Sequence, residues 1–240
     1  KSLQEELAQL TAKFDDNVLD AENAWSMVVA PERLAGVPAD VVAAARHAAE
    51  AEGKRGCKLT LRAPCYVPLM QHADDRDLRA TLHRAATTLA SDLGNDPRLD
   101  NTEIIERILA LRAEEAALLG YGSFAQVSLV PKMASTPEEV LKFIRDLARR
   151  ARPFAERDYA EAAAFARAAL AIPDLAAHDL AYVSEKLKQH RFAFSSEEVK
   201  QYFPEERVLG GLFHLVETLY GVTIQRREAN AWHPTVRFYE

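Results

Sequence analysis

The chain lacks the features that would point to a membrane, a nucleic acid or a disulfide framework. Its two cysteines, Cys57 and Cys65, match neither a zinc ribbon nor a redox pair in spacing. No apolar run approaches the roughly 20 residues that a membrane-spanning helix needs. The formal net charge is -6 and the pI is about 5.7, whereas nucleic-acid binders usually carry a basic patch. We therefore expect no membrane span, no nucleic-acid partner and a reducing, cytoplasmic compartment.

Self-sufficient catalytic motifs are also missing. A helical zinc hydrolase needs two histidines four positions apart, so that both reach one metal ion from one helix face. The 7 histidines include no such pair, and none has Glu three positions before it. The chain contains no Gly-x-Ser-x-Gly elbow and no glycine-rich phosphate loop. The residues alone therefore predict no catalytic residue and no metal ligand in this chain.

Helical periodicity dominates what is present, and a hydrophobic share of 48% is ample for a core. One apolar stripe lies near the start of the chain and another near its end: Leu3, Leu7, Leu10, Phe14 and Val18, and then Val208, Leu212, Leu215 and Leu219. Between them, spacing and helix-end signals predict further helices over 38–52, from Asp74 or Asp75 to before Gly94, over 100–119 and over 179–190.

The clearest helix start is at Thr136. Thr136 can cap the helix, Pro137 suits its first position, and Glu139 can reach back to the cap. We expect Pro153 to end or kink this helix, with a second, Ala-rich helix following to about Leu170. Two further capping boxes are predicted at Asp100 with Glu103 and at Ser195 with Glu198.

Strand signals are few. The stretch 57–62 alternates weakly, 192–194 is short and aromatic, and 222–227 is predicted to pair with 235–239. No fixed-period repeat and no Gly/Ser-rich linker marks a boundary. The sequence therefore predicts a mostly α chain with a few short β-strands, forming one helical segment over 1–240 without a defensible internal boundary.

Six groups of residues occur in one order along the chain. They are Asn17-Val18-Leu19-Asp20; Leu59-Thr60-Leu61 with Pro64 and Tyr66-Val67-Pro68; Gly120-Tyr121 through Ser128-Leu129 to Lys132-Met133-Ala134; Ala148 through Pro153; Ser184-Glu185-Lys186 with Lys188-Gln189-His190 and Tyr202-Phe203-Pro204; and Trp232-His233-Pro234 with Val236-Arg237-Phe238. Together they resemble the thimet-type zinc oligopeptidases. The match covers almost the whole chain and is densest over 179–204.

The resemblance implies a mostly helical peptidase with two lobes around a deep channel that admits short peptides. It also implies a zinc ion at the channel floor, where zinc activates water and a glutamate of the His-Glu-x-x-His motif acts as general base. That motif is absent from this chain. We therefore interpret the chain as an internal, non-catalytic segment, inactive and zinc-free by itself, and expect the motif beyond Glu240.

One position departs from the family pattern and suggests a substrate contact. The family often has two adjacent aromatic residues where this chain has Tyr182-Val183. If that helix faces the channel, the Tyr182 hydroxyl would hydrogen-bond a peptide. The alternative is that Tyr182 packs between helices with its hydroxyl at the rim. Tyr182 is the one candidate substrate-channel residue.

A different class of function remains open. A helical scaffold or adaptor could bind a protein or a peptide in a groove, and the lack of a fixed-period repeat argues against it. An unrelated enzyme whose site assembles from scattered residues is the third option. If the chain is a segment, the alternating residues Val222, Ile224, Val236 and Phe238 would lie on an uncovered apolar face. We would then expect self-association through the C-terminal strands.

Overall fold

The computed structural model describes residues 2–193 and 196–240, and the chain divides into two compact units, Lys1–Leu187 and Lys188–Glu240. The elements follow in chain order as α1 (Ser2–Ala24), β1 (Ser26–Val29), α2 (Ala39–Glu50), β2 (Cys57–Thr60), α3 (Ala63–His72), α4 (Arg76–Thr87), α5 (Thr102–Leu118), α6 (Phe124–Leu129), α7 (Pro137–Ala169), α8 (Leu180–Phe192), α9 (Ser196–Lys200), α10 (Glu205–Tyr220), β3 (Arg226–Arg227) and β4 (Phe238–Tyr239). The predicted mostly α fold class is confirmed. Of the described helices, none is both long and apolar enough to cross a bilayer.

The main core lies where a two-stranded antiparallel sheet meets α2, α3 and α4. Strand β1 pairs with β2 so that Val29 lies opposite Cys57 and Met27 opposite Leu59. The predicted strand at 57–62 is confirmed over the four residues of β2, whereas β1 was not predicted. The largest side chains at the centre are almost fully buried: Leu59, Leu69, Leu78 and Leu82.

Two glycines let backbone segments approach closely around this core. Gly56 has φ +112°, and a Cβ there would lie 2.6 Å from the carbonyl oxygen of Val29. Gly36 has φ +84°, and a Cβ there would lie 2.4 Å from the carbonyl oxygen of His72. Any other residue would meet both backbone strain and a clash, so these positions require glycine.

A smaller core joins α1 to α5. The predicted stripe of α1 contributes Leu7, which packs against Ile108 and Leu111. Deeper along α1, the buried Asn17 amide donates to Oδ1 of Asn101 at 2.9 Å. The predicted cap of α5 is wrong by one residue. Asn101 is the N-cap, while Asp100 accepts from the backbone N–H of Thr102 at 2.9 Å.

Helix α7 is one helix of 33 residues that contains Pro153, so the prediction of a helix end there and of a separate second helix is wrong. A kink at Pro153 stays a prediction. Pro153 is exposed, so water can hydrogen-bond the carbonyl group that the missing N–H leaves free. Its alanine- and arginine-rich neighbours also favour helix. The start is as predicted: the Glu139 N–H donates to Oγ1 of Thr136 at 3.1 Å. The Glu139 carboxylate accepts from the N–H of Ser135 instead of Thr136.

In the second unit, α10 ends at Gly221, whose φ of +65° forms the predicted helix end. Strand β3 pairs antiparallel with β4, so the predicted pairing is confirmed over a shorter span. The ring of Tyr239 packs on Phe213, with centroids 4.7 Å apart. The predicted strand at 192–194 is wrong at Phe192, which ends α8. The rest of that stretch and the predicted Ser195 cap include residues outside the described ranges.

Candidate functional site

The candidate site surrounds Tyr182, which lies near the start of α8 and faces α4. It consists of a small apolar layer and a polar cluster. In the apolar layer, Tyr182 and Val183 pack against Ala162 and Ala166 of α7. The polar cluster, called the Asp179 cluster below, comprises Asp74, Arg76, Arg79, Asp179, Tyr182 and Lys186.

The first turn of α4 positions the two arginines of the cluster. Asp75 caps α4 by accepting from the N–H of Leu78 at 2.8 Å. It also accepts from Nε of Arg33 at 2.6 Å, and that bond lowers the pKa of Asp75. Because helix α4 starts at Arg76, the side chains of Arg76 and Arg79 lie one turn apart on the same side. Both therefore reach towards the turn that precedes α8.

That turn, Ala177–Asp179, places a carboxylate between the two guanidinium groups. Asp179 is fully buried, and so is Arg79. Nη2 of Arg79 donates to Oδ1 of Asp179 at 2.8 Å, and Nη2 of Arg76 donates to Oδ2 at 2.8 Å. The backbone N–H of Ala176 adds a bond to Oδ2 at 3.1 Å. The carboxylate is thus bonded on both oxygens, as a buried charge requires.

The pKa of Asp179 records this balance. Burial by itself would raise the pKa, but the hydrogen bonds from Arg76 and Arg79 outweigh burial and lower the pKa to about 2. A carboxylate with so low a pKa is a poor general base near pH 7. Asp179 is therefore suited to holding the two arginines and poorly suited to moving a proton.

Tyr182 follows Asp179 by three residues and is 8% exposed. Its hydroxyl donates to Oδ1 of Asp74 at 2.8 Å, and the guanidinium carbon of Arg79 lies 4.0 Å from the centre of its ring. Nζ of Lys186, one turn further on, lies 3.4 Å from the same Asp74 oxygen. Burial, together with the bond to Asp74, raises the pKa of Tyr182 to about 12.

The arrangement fastens α8 to α4. Each charged or hydroxyl group of the cluster has a partner about 100 residues away in sequence, as in the bond from Arg76 to Asp179. With its hydroxyl on Asp74, Tyr182 packs between helices in this structure. A contact between Tyr182 and a peptide stays a prediction.

The sequence contained a signal for part of this cluster that periodicity alone did not reveal. Arg79 lies beside Leu78 and Leu82 within the apolar stripe of α4, and a charged residue in such a stripe needs a buried partner of opposite sign. The identity of that partner, Asp179, could not be deduced, because it lies 100 residues away.

No zinc site fits the part of the chain that the structure describes. Among the side chains that the structure describes, those of residues 2–193 and 198–240, no three from His, Cys, Asp or Glu come together to hold a metal ion. The rings of His83 and His178 lie with their centroids 6.3 Å apart, and Nε2 of His178 lies 3.7 Å from Oδ1 of Asp179. Asp179 is already bonded by two arginines, whose positive charges disfavour a cation there.

A small cavity beside Trp25 is too small to bind a peptide. Its volume is about 90 Å³, against roughly 300–1,000 Å³ for a typical small-molecule site. Alkyl groups form much of its wall, among them Ala21, Ala85 and Leu89. The cavity therefore adds no candidate substrate site.

Comparison with known proteins identifies the same family that the sequence motifs resemble. The profile of Peptidase family M3 matches residues 69–240. Oligopeptidase A of Escherichia coli strain K12 is 45% identical over 237 residues, which cover 98% of this chain and 35% of that protein. Oligopeptidase A of Haemophilus influenzae is 39% identical over the same coverage. Dipeptidyl carboxypeptidase of Escherichia coli is 30% identical over 244 residues, covering all of this chain and 35% of that protein. The chain thus spans about a third of these relatives.

Proposed function

This chain belongs to peptidase family M3, and we propose from that membership that it is a non-catalytic part of a zinc-dependent oligopeptidase that hydrolyses short peptides. The observation that carries the proposal is the 45% identity to an oligopeptidase A over 98% of the chain. At that identity, two sequences share a fold and the packing that supports it. The proposed substrates are short peptides, and the proposed place of action is the cytoplasm, without a nucleic-acid or membrane partner.

The zinc site and the framework that this chain forms are separate parts of the proposed enzyme. In a peptidase of this kind, a bound zinc ion supplies an activated water molecule. The residues described here form no zinc site, so zinc is proposed to be held by residues other than these. The contribution proposed for this chain is a rigid framework in which the Asp179 cluster fixes α8 on α4.

Tyr182 is the proposed link between this framework and a substrate. Its hydroxyl is bonded to Asp74, so a direct peptide contact would require that bond to be exchanged. Replacing Tyr182 with Phe separates the two roles. In the chimera described below, where activity can be measured, KM rises if the hydroxyl contacts peptide. If it serves packing, stability falls by about 1 kcal/mol because Asp74 loses a donor, and KM is unchanged.

A chimera tests the proposed function. In it, this chain replaces the aligned stretch of Escherichia coli oligopeptidase A. We expect the chimera to hydrolyse a short fluorogenic peptide and to lose that activity when a strong chelator is added. The isolated chain should neither hydrolyse the peptide nor retain zinc after dialysis against a weak chelator.

Two outcomes would overturn the proposal. A folded chimera that binds zinc but leaves the peptide intact would show that this chain cannot replace the oligopeptidase segment. An isolated chain that keeps one zinc ion and cleaves peptide in a chelator-sensitive way would show that it carries its own catalytic centre.

A further inference from the structure

The first half of α7 has an apolar face that the first unit leaves uncovered. Five large apolar side chains on this face, called the α7 stripe, are each 45–67% exposed: Leu141, Phe143, Ile144, Leu147 and Phe154. Their spacing of three, four and seven residues places them on one side of the helix. They form one continuous band along about four helical turns.

The two halves of the same helix differ in their surroundings. In the second half, Ala162 and Ala166 are buried against Tyr182 and Val183 of α8. In the first half, none of the five residues of the α7 stripe is buried. The helix is therefore anchored at its C-terminal end, and its first half projects an apolar surface.

The opposite side of the first half is charged, so the apolar side is a distinct face. Five basic residues occur there among three acidic ones: Lys142, Arg145, Arg149, Arg150 and Arg152, with Glu138, Glu139 and Asp146. Several of these charges pair with each other, as in the bond of Arg150 to Asp146 at 2.7 Å. A helix with one polar side and one uncovered apolar side is typical of an interface.

We propose that the α7 stripe docks onto the part of an M3 peptidase that the aligned stretch does not include, against a complementary apolar surface there. The inference rests on the proposed function. Two observations identify the occupant. The α7 stripe lies within the residues that match the family profile, so it belongs to the architecture that the relatives share. The aligned stretch makes up 35% of the relatives, so about two thirds of each relative is available to cover it.

The test compares one pair of substitutions in two settings. The double variant Ile144→Gln, Leu147→Gln removes the middle of the α7 stripe while keeping good helix formers. The matched control, Lys142→Gln, Arg145→Gln, also introduces two glutamines, but on the charged side of the same turns. Each is made in the isolated chain and in the chimera with Escherichia coli oligopeptidase A.

In the isolated chain we expect all three forms to show equal helix content and equal Tm, because the substituted side chains are exposed there. In the chimera we expect the stripe variant to melt roughly 5 °C below the parent, since two large apolar side chains lose their burial. The control variant should have the same Tm as the parent chimera.

Several outcomes would overturn the docking proposal. A stripe variant that loses helix in the isolated chain would mean that this chain covers its own stripe. An isolated chain that sediments as a dimer, and becomes a monomer with the stripe variant, would identify a second copy as the occupant. The docking proposal would also be excluded if the chimera does not fold, or if the stripe substitutions leave its Tm unchanged. A folded but inactive chimera with a sensitive stripe would overturn only the proposed function.

Discussion

Helices α4 and α7 carry the same kind of apolar stripe and differ in what covers it. In α4, Leu78 and Leu82 are fully buried against the sheet and α3. In the first half of α7, Ile144 and Leu147 are 51% and 56% exposed. The periodicity is equally clear in both. An apolar stripe thus shows which side of a helix avoids water, and only the tertiary structure shows whether a partner is present.

The largest effect should come from the charge that holds α8 against α4. Replacing Asp179 with Ala leaves the buried guanidinium of Arg79 without its carboxylate, so we expect stability to fall by about 3–5 kcal/mol. Urea denaturation followed by circular dichroism measures the loss. The exposed Asp174, five residues earlier, is the matched control, and its replacement with Ala should change stability by less than about 0.5 kcal/mol. Equal effects at the two positions would mean that the Asp179 cluster is not formed.

Substitution in the buried apolar stripe of α4 should lower stability by nearly as much. Leu82→Ala removes a fully buried side chain and leaves a cavity, which typically costs about 2–5 kcal/mol. The same urea titration measures this loss of stability. A loss below about 1 kcal/mol would mean that α4 is not packed as described, and the contrast with α7 would disappear.

The Asp179 cluster should also make stability depend on pH. The folded-state pKa of about 2 lies below the ordinary value of about 3.9. The stabilising contribution of the ionised carboxylate is therefore fully present above about pH 4 and is lost as pH falls towards 2. The difference in unfolding free energy between the unmodified chain and Asp179→Asn should be constant from pH 5 to 7. It should shrink by roughly 2 kcal/mol at lower pH. A difference that does not change with pH would contradict the ion pairs.

The start of α7 depends on local interactions, so a change there should have a smaller effect. Thr136→Ala removes the side-chain acceptor for the N–H of Glu139 and should cost about 1 kcal/mol. Hydrogen exchange should show faster exchange in the first turn of α7 and no change in α4. Thr136→Ser, which keeps the hydroxyl, should restore most of the protection. If Thr136→Ala leaves exchange in α7 unaltered, the cap is not formed.

The smallest effect should come from the uncovered stripe itself. Leu147→Ala in the isolated chain removes a side chain that is 56% exposed, and alanine has the higher helix propensity. We expect a change within about 0.5 kcal/mol. A loss comparable to that of Leu82→Ala would show that something in the chain already covers α7, and the two stripes would then be alike.

Sequence reasoning succeeded where one short stretch contains the whole interaction. The cap at Thr136 involves residues three positions apart, and the turn at Gly221 needs only a residue that tolerates positive φ. It missed β1, which is defined by its pairing with β2 about 30 positions away. At Pro153 it overestimated how strongly the loss of one backbone hydrogen bond would disrupt a long, exposed helix.

The sequence by itself thus determined the helical class, most of the helices, their apolar sides and several of their ends, because each depends on neighbours within a few residues. Only the tertiary structure decided which sides are covered and which charges meet. The carboxylate of Asp179 lies 100 positions from Arg79, and the amide of Asn17 lies 84 positions from Asn101. Many side chains could satisfy each of these groups, and the packing of the whole chain selects one of them.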